Sequence, residues 1–185
     1  MDLFETVTRR RSIRKFKPEM IPSEDLKKIL EAGRLAPSGN NRQPWRFVIV
    51  RDADKKKQLS EASGQKFIAD AAVVIVALGD TSAYEKVQGK LWFLSKKVLP
   101  RIPYIQDPMI AVEHMVLAST ALGYGSCWIG AFRHDQVRKM LRIPNALAII
   151  ALVPVGFPDE NTNNQPRRRF NELFFEDSYG NPLKV

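Results

Sequence analysis

The chain has one cysteine, Cys127, and two histidines, His114 and His134. A single thiol excludes an intrachain disulfide and makes a reducing, cytoplasmic setting the expectation. With no cysteine pair and no closely spaced histidines, a protein-bound catalytic zinc is not expected. No Gly-x-Ser-x-Gly elbow occurs. The glycine-rich stretch Gly123-Tyr124-Gly125-Ser126-Cys127-Trp128-Ile129-Gly130 follows a predicted helix rather than a strand, and no Lys-Ser or Lys-Thr comes after it. It is therefore neither a dinucleotide fingerprint nor a P-loop. Long apolar runs are missing too: the longest, Ala146 to Val153, is far too short to span a bilayer. Met1 to Glu5 has no basic start leading into an apolar block, so no secretory leader is expected. Internal repeats and low-complexity tracts are absent. An enzyme with so few reactive side chains takes its hard chemistry from an organic cofactor.

What is present suits one domain, 1–185, with enough chain to bury a core: 44% of the residues are hydrophobic and 26% charged. The net charge of +9 comes from 29 basic and 20 acidic residues. Its location is local. Arg9, Arg10, Arg11, Arg14, Lys15 and Lys17 form one cluster, and Arg167, Arg168 and Arg169 another. These nine residues equal the whole excess, so the rest of the chain is balanced. Two clusters at opposite ends suit a discrete anion better than a long polyanion, with a nucleic-acid module as the rival reading.

Along the chain, Asp2 caps a helix in which Leu3, Phe4 and Val7 share a face. Ile13 and Phe16 anchor an extended passage. Ser23 is expected to cap a second helix, with Leu26, Ile29, Leu30 and Gly33 at helical spacing. Phe47 to Val50 reads as a buried strand, and Asp54 to Ala62 as a helix with an exposed lysine face. Ala72 to Leu78, continuous and β-branched, reads as a strand covered on both faces. Asp107-Pro108 is expected to open the strongest helix, with Ile110, Ala111, His114, Leu117, Ala118 and Ala121 as its buried stripe. Gly123 ends that helix. His134 to Leu141 is a short helix, and Ala148 to Val153 a third buried strand. From Phe157 the chain is polar and rich in Pro and Asn, a tail that wraps over something. The sum is an α+β domain with helices around a central sheet.

Three stretches can carry a ligand. Arg10-Arg11-Ser12-Ile13-Arg14 offers guanidinium groups and a hydroxyl suited to a phosphate monoester. Pro37-Ser38-Gly39-Asn40-Asn41-Arg42-Gln43-Pro44-Trp45 is a long connection whose amides donate and accept at once, fitting a polar heteroaromatic edge, or else a surface loop of turn formers. The Gly123–Gly130 stretch can bring backbone N–H groups to a ligand, or else is a helix end leading to a buried Trp128. Cys127 has no neighbouring cation in sequence and reads as a buried, inert thiol.

Taken in order and spacing, Arg10-Arg11-Ser12-Ile13-Arg14-Lys15-Phe16, Ala36 to Trp45, Gly64-Gln65-Lys66-Phe67-Ile68, Leu122 to Gly130 and Pro166-Arg167-Arg168-Arg169 resemble the nitroreductase family of flavoproteins. The resemblance covers nearly the whole chain. It implies a nitroreductase-like fold with a central mixed, mostly antiparallel sheet and a C-terminal tail wrapping a partner subunit. It implies a homodimer with FMN in each of two clefts between subunits, NADH or NADPH as co-substrate, and a small electron-poor acceptor such as a nitroaromatic or quinone. By that resemblance Arg10, Arg11, Ser12 and Arg14 hold the phosphate and ribityl side, and Pro37, Ser38, Gly39 and Asn41 come from the other subunit. Gln65 meets the polar part of the flavin, and Trp128, Ile129 and Gly130 pass their backbone near the ring. Arg167, with Arg169 or Arg168, completes the phosphate site. Gln165 stands where a second tail cation often sits, so the tail register is open. No side chain is expected to act as acid or base, and no metal, nucleic acid or membrane is expected. A specialised flavin enzyme of the same fold (a dehalogenase, an enoate-type reductase or a flavin-fragmenting enzyme) is the alternative, and Thr81 to Asp107, with Trp92, Phe93 and Tyr104, reads as a pocket lid or else as an ordinary amphipathic helix plus connection.

Overall fold

The computed structural model describes residues 1–84, 103–163 and 165–184. Two faces of one sheet organise them. The strands are β1 (Trp45–Val50), β2 (Val73–Asp80), β3 (Gly125–Ser126) and β4 (Leu147–Gly156), in the order β1-β2-β4-β3. Among the described residues every ladder is antiparallel, and the isolated bridge from Ser12 to Ser126 is parallel. The helices are α1 (Leu3–Arg9), α2 (Ser23–Arg34), α3 (Ala53–Ser63), α4 (Pro103–Ala121) and α5 (His134–Leu141).

β2 is buried along almost its whole length, and its side chains alternate between two cores. Val73, Ile75 and Ala77 pack with Leu26 and Ile29 of α2 and Val112, Met115 and Val116 of α4. Val74, Val76 and Leu78 pack with Leu59 of α3, Val137 of α5, Cys127 and Ile129. Helices therefore cover both faces, which is why a strand in an antiparallel sheet reads as one unbroken apolar run. Burying a side chain such as Ile29 or Leu59 contributes about 1.5–3 kcal/mol. β4 breaks its alternation at a bulge. Ala77 faces Ala151 and Leu78 faces Ile149, so Ile150 is the extra residue, and Ile150 and Ala151 both turn to the α2/α4 core.

Several expectations are corrected. Pro22, not Ser23, holds the cap position of α2, with no side-chain cap bond. Phe47, Val48 and Ile49 are half-buried, because β1 is the sheet edge. The lysine face of α3 has one exception: Lys56 is buried and its Nζ donates to the Ala71 carbonyl at 2.6 Å. Burial pushes its ammonium pKa down. α4 begins before Asp107, and Pro108 lies inside it within the first turns. Its buried stripe is Ala111, Val112, Met115, Val116 and Ser119, whereas Ile110 and Ala121 are exposed. The helix is apolar on two sides, so periodicity alone does not choose the inward one. At the start of α4 the backbone approaches β2 so closely that a Cβ on Gly79 would lie 1.9 Å from the Tyr104 carbonyl oxygen.

α1 is capped as expected, the Asp2 carboxylate accepting from the Glu5 N–H at 2.8 Å. Its apolar face is open: Leu3 is 66% exposed, Phe4 82% and Val7 53%. The tail stacks the exposed rings of Phe170 and Phe174 with centroids 4.3 Å apart. Trp92 and Phe93 of the expected lid lie outside the described residues; Thr81–Tyr84 form a single 3-10 turn. Among the described residues no helix is long and apolar enough to cross a membrane.

Candidate functional site

The first basic cluster is held by the sheet. After α1 the chain runs beside β3 and the end of β4. The Ile13 N–H donates to the Ser126 carbonyl at 2.9 Å, the Lys17 N–H to Phe157, and the Asp159 N–H to Lys15. Buried Ile13 and Phe16 pin this passage, so Arg10, Arg11, Ser12 and Arg14 are held at the sheet end on a fixed backbone. Gly125 lets the passage sit close: a Cβ there would lie 2.7 Å from the Ile13 side chain. The Glu160 carboxylate accepts from the Arg14 N–H, and Lys15 pairs with Asp159 at 3.2 Å.

The second cluster comes back to the first. Arg10, Arg11, Ser12 and Arg14 share a cleft of about 330 Å³ with Thr162, Asn163, Gln165 and Arg167. Four guanidinium groups, two hydroxyls and two amides make a donor set fit for a phosphate monoester. Arg169 lies outside that lining, at the cap of the Phe170–Glu172 turn, so the tail meets the cleft through Arg167 and Gln165. Thr162 and Asn163 were not foreseen. Their only signal in the sequence is the polar composition after Phe157.

Beside this cleft the Gly123–Gly130 stretch runs along β4. Ser126 pairs with Val155 and Ile129 bridges to Leu152, giving and taking one backbone bond at 3.0 Å. Cys127 is buried, and burial pushes its thiol pKa up, against the lowering pull of Arg14 and the Ser12 hydroxyl. Cys127 is thus buried as expected. Trp128 is not the buried Trp of the helix-end reading: it is 36% exposed, and Gly130 is exposed after it. Gln65 is exposed just past the left-handed Gly64 that ends α3. His114 is structural, its Nδ1 lying 3.2 Å from the Ala32 carbonyl.

Pro37, Ser38, Gly39 and Asn41 lie elsewhere. Their loop enters β1, and the Asp80 N–H at the far end of β2 donates to the Pro44 carbonyl at 2.8 Å. The Arg cluster is attached next to Val155, the partner of Val73 at the opposite end of β2. The two groups are thus separated by about 23 Å of strand, and they flank opposite edges of the sheet as well. The loop is tightly made. Asn40, Asn41 and Gln43 have φ of 51°, 54° and 50°, a region that costs most non-glycine residues energy and that Asn tolerates best. The Gln43 N–H donates to Ser38 Oγ at 2.9 Å and its side-chain amide to Asn41 Oδ1 at 3.1 Å. The Gly39 N–H donates to Asp107 Oδ2 at 3.1 Å. Asp107, expected as a helix cap, is instead a buried carboxylate bonded to this loop.

The described residues form an α+β sheet domain that brings four guanidinium groups into one cleft at a corner, and among them no group of three or more His, Cys, Asp or Glu side chains is placed to hold a metal ion. The chain belongs to the nitroreductase family of oxidoreductases, whose model matches residues 7–157. It is 33% identical over 181 residues to the NADH dehydrogenase of Thermus thermophilus, covering 86% of this chain and 88% of that protein. It is 26% identical over 190 residues to the NADPH-dependent oxidoreductase of Staphylococcus haemolyticus, covering 98% and 76%. The solved FMN-dependent nitroreductase of Clostridium difficile R20291 superposes with a TM-score of 0.77 at 27% identity, covering 95% of this chain and all of that one.

Proposed function

We propose that this protein is an FMN-dependent oxidoreductase that passes hydride from NADH or NADPH to a small electron-poor acceptor such as a nitroaromatic or quinone. The observation that carries the reading is the meeting of two basic clusters, from opposite ends of the chain, in one cleft of about 330 Å³. FMN, when bound, supplies the hydride-accepting and hydride-donating ring. Arg10, Arg11, Ser12, Arg14 and Arg167 hold its phosphate. The backbone of Trp128, Ile129 and Gly130, with Gln65, lies along the ring and steadies negative charge there. No side chain has to move a proton; the protein orients the reactants.

The reading includes a second subunit. Pro37, Ser38, Gly39 and Asn41 cannot reach the Arg cleft of their own chain across about 23 Å, and they serve the cleft of a partner. The open apolar face of α1, exposed Met109 and Ile110 on α4, and the exposed aromatic tail supply surface for that partner. A nucleic-acid module is not proposed, because Arg10, Arg11, Arg14 and Arg167 share one concave cleft suited to a discrete anion, while outside the two terminal clusters the chain is balanced.

The test is the visible spectrum of the purified protein before and after NADH or NADPH is added without oxygen. An oxidised-flavin spectrum that bleaches is the expected result. A colourless protein that also fails to bind added FMN overturns the reading. Arg10→Ala is expected to weaken FMN binding by about tenfold or more, the cost of one charge-assisted contact.

A further inference from the structure

A second concavity lies on the other side of the domain, between α3 and α5. Its volume is about 630 Å³, inside the range of ligand pockets, roughly 300–1,000 Å³. Arg133, Lys139 and Arg142 line it against a single carboxylate, Glu61, with Gln58 and Gln136 between them. Arg133 is fixed in place. Its N–H donates to the Ala62 carbonyl at 2.9 Å and its guanidinium to the Glu61 carbonyl at 2.7 Å, which leaves the Glu61 carboxylate out of both bonds. Arg142 ends α5 with φ 54° and ψ 41°, a left-handed cap that glycine or asparagine fills at lower cost. An arginine kept in that conformation, with its side chain on the groove, points to a use for the charge.

The position matters as much as the charge. Glu61 and Ala62 lie within about one turn of Gln65, and Arg133 lies three residues beyond Gly130. Gln65 and Gly130 are the residues assigned above to the flavin ring. From Ser126 to Arg133 the chain leads from the phosphate cleft, past the ring segment, to the groove. The α3 and α5 surface has none of the large exposed apolar residues that crowd α1, α4 and the tail, so pairing through those faces leaves the groove open.

We infer that this groove receives the phosphates of the nicotinamide dinucleotide, above all a 2′-phosphate, and that NADPH is the preferred reductant. The inference rests on the reductase reading. A 2′-phosphate is a monoester carrying roughly two negative charges with three acceptor oxygens, which three converging cations match. NADH offers no such group.

Two measurements test it. In the FMN-loaded protein, the double variant Lys139→Gln/Arg142→Asn is expected to raise KM for NADPH by about tenfold or more, with KM for NADH within about twofold and kcat kept for both. Asparagine tolerates the left-handed cap, so the variant keeps its fold. Independently of turnover, adenosine 2′,5′-bisphosphate is expected to bind the wild type in calorimetry, more weakly as salt rises, and to lose that binding in the variant. Equal binding of the bisphosphate to both proteins, no binding to either, or an equal rise in KM for both nucleotides overturns the inference. If neither nucleotide reduces the flavin while the bisphosphate still binds only the wild type, the reductase reading falls and the groove stands as an adenosine-phosphate site.

Discussion

The two helical layers rest on alternate residues of one strand, yet their outer surfaces are opposites. The α2/α4 layer, with α1 beside it, turns Leu3, Phe4, Val7, Met109 and Ile110 to solvent. The α3/α5 layer turns out Lys55, Lys57, Glu61, Gln136 and Lys139. Their inner surfaces are equally apolar, with Ile29 and Leu59 both fully buried. Core packing therefore does not distinguish the layers. What distinguishes them is what each outer face is built to meet: a further apolar surface on one side, water and charged solutes on the other.

The largest expected effect breaks the first side. Phe4→Glu puts a charge on the open face of α1, where a single chain loses nothing because Phe4 is 82% exposed. Sedimentation is expected to show a one-subunit mass where the wild type gives two, with the far-ultraviolet circular dichroism unchanged and FMN lost on gel filtration. An unchanged mass would remove α1 from the interface. Next in size, Leu59→Ala hollows the core under α3. It is expected to cost about 2–5 kcal/mol in urea unfolding, with assembly unaffected at low denaturant. A variant that dissociated before unfolding would mean that the two layers are not independent.

A smaller effect sharpens the comparison on the α2 side. The Tyr124 hydroxyl donates to Asp25 Oδ2 at 2.8 Å and joins the glycine-rich stretch to α2. Burial, with the neighbouring carboxylate, pushes the Tyr124 pKa from 10.0 up to about 12. The folded value is the higher one, so the contribution is complete below pH 10 and is lost as pH rises towards 12. Tyr124→Phe is thus expected to be less stable than the wild type by a constant amount from pH 7 to 9, a gap that closes between pH 10 and 12. A gap independent of pH throughout would uncouple the effect from ionisation of the Tyr124 hydroxyl, since the ring contact with Phe157 survives the substitution.

The fold was legible where one physical signal dominates. β2 is a single apolar run because both its faces are covered. α2 is amphipathic, and Leu26, Ile29 and Gly33 are buried as its spacing requires. α4 was misread because it is apolar on two sides, so its true inward stripe through Val112 and Met115 depended on which neighbours arrived. Pro108 gave a false start for the same helix: it is expected in a first turn, but here it lies beyond it, where its missing N–H leaves the helical ladder one bond short at Tyr104. At the site, the Arg10–Arg14 passage was legible from its alternation of anchors and charges. The meeting of Arg167 with it was only an expectation, because the 152 residues between Arg14 and Arg167 carry no local mark of their return. The role of Asp107 was hidden for a similar reason: its bond to Gly39 spans 68 positions.

The distance along β2 also has a genetic side. If each cleft draws Arg10 from one chain and Ser38 from another, two defective alleles, one damaged at each end, rescue each other when expressed together. A mixed pair keeps one whole cleft and spoils the other twice. Two alleles damaged at the same end have no such remedy. Inheritance of activity would then follow the corners of the sheet rather than the order of the gene.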